Sequence, residues 1–245
     1  MNNKTVFITG ATKGIGYTTA KRLLENNYTV YGTWNRTSVP DDLAKHLNFH
    51  ALQADLSDPD SLSSIPSFFQ KHHFPDILIN NAGIFDSASC QVKESFWNEK
   101  WERTIMINLT APVRLTRWFV LDWLEKGRDG MVINISSRAA YRGETVEYPA
   151  YAASKGGLLS FTKTIARSYG KQGITAYNIA PGFVDTDMAR EAIEKKGEES
   201  VKDGLALNEL ATPEDVASVI SFIASGQAKQ MTGTTFHING GSWLL

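Results

Sequence analysis

Tyr151 and Lys155, in the stretch Tyr151-Ala-Ala-Ser-Lys155, stand four residues apart at the start of a helical pattern and therefore share one helix face. A phenol near its reference pKa of ~10 is a poor proton carrier at neutral pH, and an adjacent ammonium lowers that value by favouring phenolate. Tuned in this way, Tyr151 can give a proton to a carbonyl oxygen while a hydride arrives at carbon. The spacing occurs by chance in many helices, so its weight comes from its company. Residues 131–137 read as a strand that ends in two hydroxyls, Ser136 and Ser137. A serine at a strand's carboxyl end can hold a substrate oxygen. It lacks the G-x-S-x-G frame of a hydrolase nucleophile. The five histidines have neither metal nor triad spacing and read as surface residues, so no metal site is expected.

A second chemical feature lies near the amino end, where a short apolar run enters Thr9-Gly10-Ala11-Thr12-Lys13-Gly14-Ile15-Gly16 and passes directly into a helical pattern. Glycines there permit a tight turn and let backbone N–H groups approach a pyrophosphate at the positive end of the helix. The spacing is G-x-x-x-G-x-G, and no Gly-Lys-Ser/Thr follows, which excludes a Walker-type triphosphate loop. A dinucleotide enzyme preferring NAD usually carries an acid at the end of the second strand, for the adenosine ribose. Here that end reads Trp34-Asn35-Arg36, with Lys13 inside the glycine turn. Cations suit a 2′-phosphate, so the reading favours NADP(H) over NAD(H).

These residues need a frame that brings strand ends to one edge. Strand candidates fall at 5–9, 29–33, 49–54, 77–79, 130–135, 175–179 and 234–238, and helix candidates at 15–26, 59–72, 94–125, 151–169 and 213–224. Strand followed by helix, repeated, predicts an α/β fold: one domain, a doubly wound parallel sheet of about seven strands with helices on both faces. Asp58-Pro59 and Thr212-Pro213-Glu214-Asp215 supply helix-start chemistry. The least regular segment, 182–211, carries the polar run 195–199 and reads as either a mobile lid or a surface helix with a glycine break.

Length and charge narrow the class. The 245 residues suit one α/β domain or two small ones, and no linker or repeat divides them. With 25 basic against 26 acidic residues there is no overall attraction to nucleic acid or to an anionic membrane. One cysteine, Cys90, precludes an intrachain disulfide. No run approaches the ~20 apolar residues of a membrane span, and no signal segment is visible, so a soluble cytoplasmic protein is expected.

Together these features resemble the short-chain dehydrogenase/reductase family along essentially the whole chain. The markers are the 9–16 turn, Asp55, Asn80-Asn81-Ala82-Gly83, Asn108, Ser137, Tyr151-x-x-x-Lys155, Pro181-Gly182 with Thr186, and Asn239-Gly240-Gly241. The resemblance implies a Rossmann-type fold in which Tyr151 is the general acid/base and Ser137 polarises the carbonyl. It also implies that Lys155 binds the nicotinamide ribose and depresses the Tyr151 pKa, while Asn108 anchors a water linking Lys155 to solvent. Cofactor contacts would come from Gly10, Thr12, Lys13, Gly14, Ile15 and Gly16, from Asn35 and Arg36, and from Asp55 and Leu56 at the adenine. Asn81, Ala82 and Gly83 would pass near its ribose, and Pro181, Gly182, Val184 and Thr186 would cover the nicotinamide.

Within the family the chain is most similar to the 3-oxoacyl-acyl-carrier-protein reductase group, which implies an acyl-thioester ketone as substrate and an acyl carrier protein as a partner. Arg128 matches one basic carrier-docking position, whereas Gln172 stands at the other with Lys171 beside it. Arg138 and Arg142, next to Ser137, replace small or apolar residues and could favour a polar or acidic small substrate. Dehydrogenation of a small alcohol, sugar or hydroxy acid is the alternative, and a non-catalytic nucleotide-binding scaffold a further one. Substrate choice is expected from 85–92, 138–148 and 182–211, with any acidic partner drawn by a local patch of Arg128, Arg138 and Arg142. Apolar residues on several faces of 94–125, including Trp118, Phe119 and Trp123, together with the Tyr151 helix, predict self-association, and the family resemblance implies a homotetramer.

Overall fold

Seven strands alternate with helices along the chain: β1 Thr5–Ile8, β2 Thr29–Trp34, β3 Phe49–Gln53, β4 Ile77–Asn80, β5 Gly130–Ile135, β6 Ile174–Pro181 and β7 Thr235–Ile238. All pair in parallel, in the order β3-β2-β1-β4-β5-β6-β7. The computed structural model describes residues 4–244, apart from the side chains of 191, 192, 194–196, 198 and 200. The side chains of 195, 196 and 198 in the polar run 195–199, and the whole of residues 1–3 on which the expectation of no signal segment partly rests, therefore lie outside what is described.

The helices are α1 Gly14–Glu25, α2 Asp41–Ala44, α3 Pro59–His72, α4 Glu94–Ile105, α5 Ala111–Glu125, α6 Ala139–Arg142, α7 Pro149–Tyr169, α8 Asp187–Lys196, α9 Glu198–Lys202 and α10 Pro213–Ala224. Alternate strand residues point to opposite faces. Val6, Ile8, Val30, Ile79 and Ile133 meet α1 and α10 on one side. Phe7, Leu78 and Val132 meet α3, α5 and α7 on the other, through Phe69, Phe119, Trp123 and Ile165. Both faces are covered, so β5 is buried at every residue. Strand order reverses between β1 and β4, which opens a crevice at the carboxyl edge of the sheet.

Helix starts follow local chemistry. The Asp58 side chain accepts from Asp60 N at 3.1 Å. Thr212 and Asp215 form a reciprocal capping box, with Thr212 N donating to Asp215 Oδ2 at 2.7 Å and Asp215 N to Thr212 Oγ1 at 3.2 Å. Pro149 takes the first turn of α7, which begins before the expected residue 151.

Three expectations need correction. The long helix at 94–125 is interrupted by a π turn at Met106–Thr110, a local widening that periodicity does not reveal. Phe119 and Trp123 are fully buried in the chain's own core, so they do not call for a partner. His237 is half-buried, its ring 4.9 Å from that of Tyr141, whereas the other four histidines are exposed. The irregular 182–211 segment folds as α8 and α9 separated by Gly197. No helix among the described residues is long and apolar enough to cross a membrane.

Candidate active site

The β1–α1 turn is built so that backbone approaches backbone. Gly10 adopts φ +68°, and a Cβ at Gly16 would collide with the Gly10 carbonyl oxygen. Gly10 N donates to Thr33 Oγ1 at 2.9 Å, fixing the turn to β2. Thr9 Oγ1 accepts from Asn81 N and Ala82 N, each at 3.0 Å, while Asn81 Nδ2 donates to Thr9 O at 2.9 Å and Gly10 O at 3.1 Å. The β1 and β4 ends are thereby locked together. Lys13 caps α1 without a side-chain bond, and the first turn carries no acid. The positive helix end is left for an anion, which fits a dinucleotide pyrophosphate.

Lys13, Asn35 and Arg36 are exposed at the rim of the same cleft. Asp55 accepts from Ser57 N at 2.8 Å and Ser57 Oγ at 2.6 Å, and these bonds, with further help from Asn35 and Arg36, hold its carboxyl below the usual range. Gly10, Thr12 to Gly16, Asn35, Arg36, Asp55, Leu56, Asn81 to Gly83, Ser137, Tyr151, Lys155, Pro181, Gly182, Val184 and Thr186 all line one cleft of about 420 Å³. It runs along the carboxyl edge of the sheet across the β1/β4 reversal.

At its inner end β5 delivers Ser136 and Ser137, and α7 delivers Tyr151 and Lys155. Ser136 Oγ donates to Lys155 O at 3.0 Å, pinning strand end to helix. Lys155 Nζ donates to Ile135 O at 2.8 Å and lies 5.6 Å from the Tyr151 ring centre. Burial pushes the Tyr151 phenol up to about 12, against a lowering hydrogen bond with Ser137; burial also drops the Lys155 ammonium to about 8. Phe85 stacks on Tyr148 at 3.8 Å and meets Tyr151 edge-on at 4.7 Å, giving the cleft an aromatic wall.

A family model described as enoyl-(acyl carrier protein) reductase matches residues 10–242. The chain belongs to the short-chain dehydrogenase/reductase family. It is 32% identical over 249 residues to the 3-oxoacyl-[acyl-carrier-protein] reductase FabG of Vibrio cholerae, covering 100% of this chain and 99% of that one. Among solved structures, 4-hydroxyisoleucine dehydrogenase complexed with NADH superposes with TM-score 0.90 at 32% identity, over 98% of each chain. A putative 2-deoxy-D-gluconate 3-dehydrogenase from Agrobacterium tumefaciens, with bound NADP, does so with TM-score 0.87 at 29% identity, over 98% of this chain and 96% of that one. As a short-chain dehydrogenase/reductase the protein is an oxidoreductase that uses a nicotinamide cofactor.

Several expectations about this short-chain dehydrogenase/reductase change with the geometry. Lys155 is expected to lower the Tyr151 pKa, yet the phenol is raised, because removal from water, with Glu144 nearby, outweighs the lowering by Ser137 and Arg138. Asn108 lies in the π turn behind the cleft lining, fully buried. Its Oδ1 accepts from Ile84 N at 2.9 Å and its Nδ2 donates to Ile84 O at 2.9 Å, so within the protein it clamps the chain after β4. Arg128 does not join a basic patch at the cleft. It lies at the amino edge of the sheet and pairs with Asp76 at 3.1 Å and Asp122 at 2.7 Å. Arg142 stands outside the cleft lining, paired with Glu144 at 2.7 Å, whereas Arg138 lines the cleft. The expected substrate segments 85–92 and 182–211 bring Phe85 and Phe183 to the cleft, whereas Ser242, which holds Arg138, carries no signal in the sequence and is identified only by its nearness in the fold.

Proposed function

We propose that this oxidoreductase transfers hydride between NADP(H) and a ketone or secondary alcohol, with Tyr151 as proton donor and acceptor. The observation that carries the reading is that Ser137 and Tyr151 lie together at the inner end of the dinucleotide-sized cleft, with Lys155 one helical turn on. Bound nicotinamide supplies or accepts the hydride. Ser137 holds the substrate oxygen beside the phenol, and the high Tyr151 pKa keeps that proton in place at neutral pH, the state needed to protonate a carbonyl oxygen. Lys155, titrating at about 8, is mostly charged at pH 7 and is placed to bind ribose hydroxyls. Asn108 positions the Ile84 segment that borders the cleft. Replacing Tyr151 by Phe should lower kcat at least ~10²-fold in an NADPH-consumption assay; undiminished turnover would sink the assignment.

NADP(H) is supported by Lys13, Asn35 and Arg36 and by the lack of an acid at the β2 end. Structurally similar relatives are found with either cofactor, NADH in one and NADP in the other. Wild-type kcat/KM should favour NADPH over NADH, and Lys13→Ala or Arg36→Ala should each weaken that preference about tenfold, as loss of a charge-assisted contact to phosphate does.

For substrate, the curated relatives support a 3-oxoacyl thioester delivered by an acyl carrier protein. Arg128 lends that partner no help at the cleft of its own chain, since two carboxylates hold it. The small-hydroxy-acid reading gains from Arg138 in the cleft and from the likeness to 4-hydroxyisoleucine dehydrogenase. The enzyme works in the cytoplasm as a homotetramer in this reading, with Phe96 on α4, Leu121 on α5 and Phe222 on α10 left 44%, 48% and 41% exposed for burial between subunits.

A further inference from the structure

Arg138 follows Ser137 directly, yet it is only 8% exposed, a depth at which charged side chains are ordinarily paired. Asp122, buried to a similar degree, accepts from Arg128 and Lys126, whereas buried Lys155 meets the neutral Ile135 carbonyl. Arg138, too, meets only neutral groups. Its Nη1 donates to Ser242 Oγ at 2.5 Å, and its guanidinium carbon lies 4.6 Å from the centre of the Phe183 ring. Among the described residues no carboxylate forms an ion pair with it. Glu144 is the acid whose field reaches Arg138, and its own oxygen is taken by Arg142 at 2.7 Å.

The setting resembles half of a recognition site. Phe183 follows β6 and Ser242 follows β7, so two separate strand ends hold one face and one corner of a planar group. The guanidinium borders the cleft together with Ser137, Glu144 and Tyr151, and its charge acts on the Tyr151 phenol. A guanidinium stays ionised even where burial lowers its pKa, and its fork matches a carboxylate bidentately. Arg142 and Glu144 pair with one another, so beside the serine and tyrosine Arg138, like Lys155, has no carboxylate of its own, and Lys155 is turned to the Ile135 carbonyl.

We propose that Arg138 binds the carboxylate of the substrate, so that the carbonyl reduced at Tyr151 belongs to a small oxo acid. This inference rests on the reading of the cleft as a ketone reductase and names its substrate class. Arg138 is a binding residue here and takes no part in proton or hydride transfer. A neutral thioester carbonyl carries no group that would meet this cation, whereas an oxo acid neutralises it and brings its ketone to the adjoining hydroxyls.

The test measures NADPH oxidation by the full-length enzyme with 2-, 3- and 4-oxo acids and with their methyl esters, in wild type, Arg138→Met and Arg138→Lys. Glutarate binding to the NADP⁺-loaded enzyme is titrated alongside, and NADPH fluorescence checks that each variant is folded. In wild type at least one acid should exceed its ester in kcat/KM. In Arg138→Met the acid-to-ester ratio should fall about 100-fold, mainly through KM for the acid, with a smaller fall in Arg138→Lys, which keeps the charge without the fork. Esters reduced as well as acids, with a ratio that Arg138→Met does not move, would overturn the proposal while leaving ketone reduction standing. If neither series is reduced but glutarate binding weakens at least tenfold in Arg138→Met, the reductase reading falls and the carboxylate site stands. If glutarate binding is unaffected as well, both fall.

Discussion

Two arginines flank β5 and meet opposite treatment. Arg128, just before the strand, is 26% exposed and is held by Asp76, by Asp122 and by the Phe74 carbonyl, to which it donates at 2.5 Å. Arg138, just after the strand, is more deeply buried and has a serine hydroxyl and an aromatic face. The amino edge of the sheet pairs this arginine within the chain, and the carboxyl edge, where Arg142 and Glu144 pair, leaves Arg138 for something that arrives. The same division runs through other residues. Trp123 Nε1, near the amino edge, donates to Pro75 O at 2.9 Å, whereas Lys13 at the α1 end has no capping bond. An edge whose groups are paired contributes stability, and an edge with unpaired charges gives up stability for binding.

The largest effect expected from this contrast concerns stability at the amino edge. Arg128→Met leaves the buried Asp122 with Lys126 alone and strips the Phe74 carbonyl of its donor. Chemical denaturation should show a loss of about 2 kcal/mol, below the value for a fully buried pair because Arg128 is partly wet. The acid-to-ester preference should stay as it is, and a shift in it would erase the distinction between the two edges.

A smaller effect comes from Lys155. Its folded-state value of about 8 lies below the 10.5 of the unfolded chain. Between these values the unfolded state holds a proton that the folded state lacks, so stability should rise with pH from about 8 toward 10. Tyr151 acts oppositely. Its value of about 12 against 10.0 makes stability fall as pH climbs above about 10. The denaturation free energy of wild type minus that of Lys155→Met should therefore grow by roughly 1–2 kcal/mol between pH 7.5 and 9.5. A flat difference would show that Lys155 is not desolvated.

The smallest change is expected where a structural role would predict a large one. Arg138→Met removes an unpaired buried cation and fills the space with an apolar chain, so denaturation of the ligand-free protein should move by no more than about 0.5 kcal/mol, or toward greater stability. A loss matching that of Arg128→Met would mean that Arg138 holds the fold together, and the contrast between the edges would collapse.

Much of the fold is legible in the order of residues alone. Short β-rich apolar runs and period-3.6 patterns locate all seven strands and most of the long helices, because a strand covered on both faces reads as a continuous apolar run and a helix reports the face it buries. Short helices such as α2 and α6 escape, since four residues carry no periodicity. The π turn escapes because its widening follows from where Asn108 must reach, to a backbone segment 24 residues earlier in the chain. Phe119 and Trp123 read as candidates for a subunit interface because a helix with apolar residues on several faces does not announce which face meets its own sheet.

By itself the sequence determined the alternating α/β order, the glycine turn, and the serine, tyrosine and lysine that mark the chemistry. Each of these is a matter of residue type and short spacing, which local sterics and hydrogen bonding translate directly into structure. Only the tertiary structure decided which way the Tyr151 pKa moves, what Asn108 holds, and which arginine is already paired. Those outcomes depend on water excluded by distant segments and on partners far away in the chain, such as Asp76 for Arg128 and Ser242 for Arg138. A charge is identical in sequence whether it is neutralised or waiting, and its surroundings make the difference.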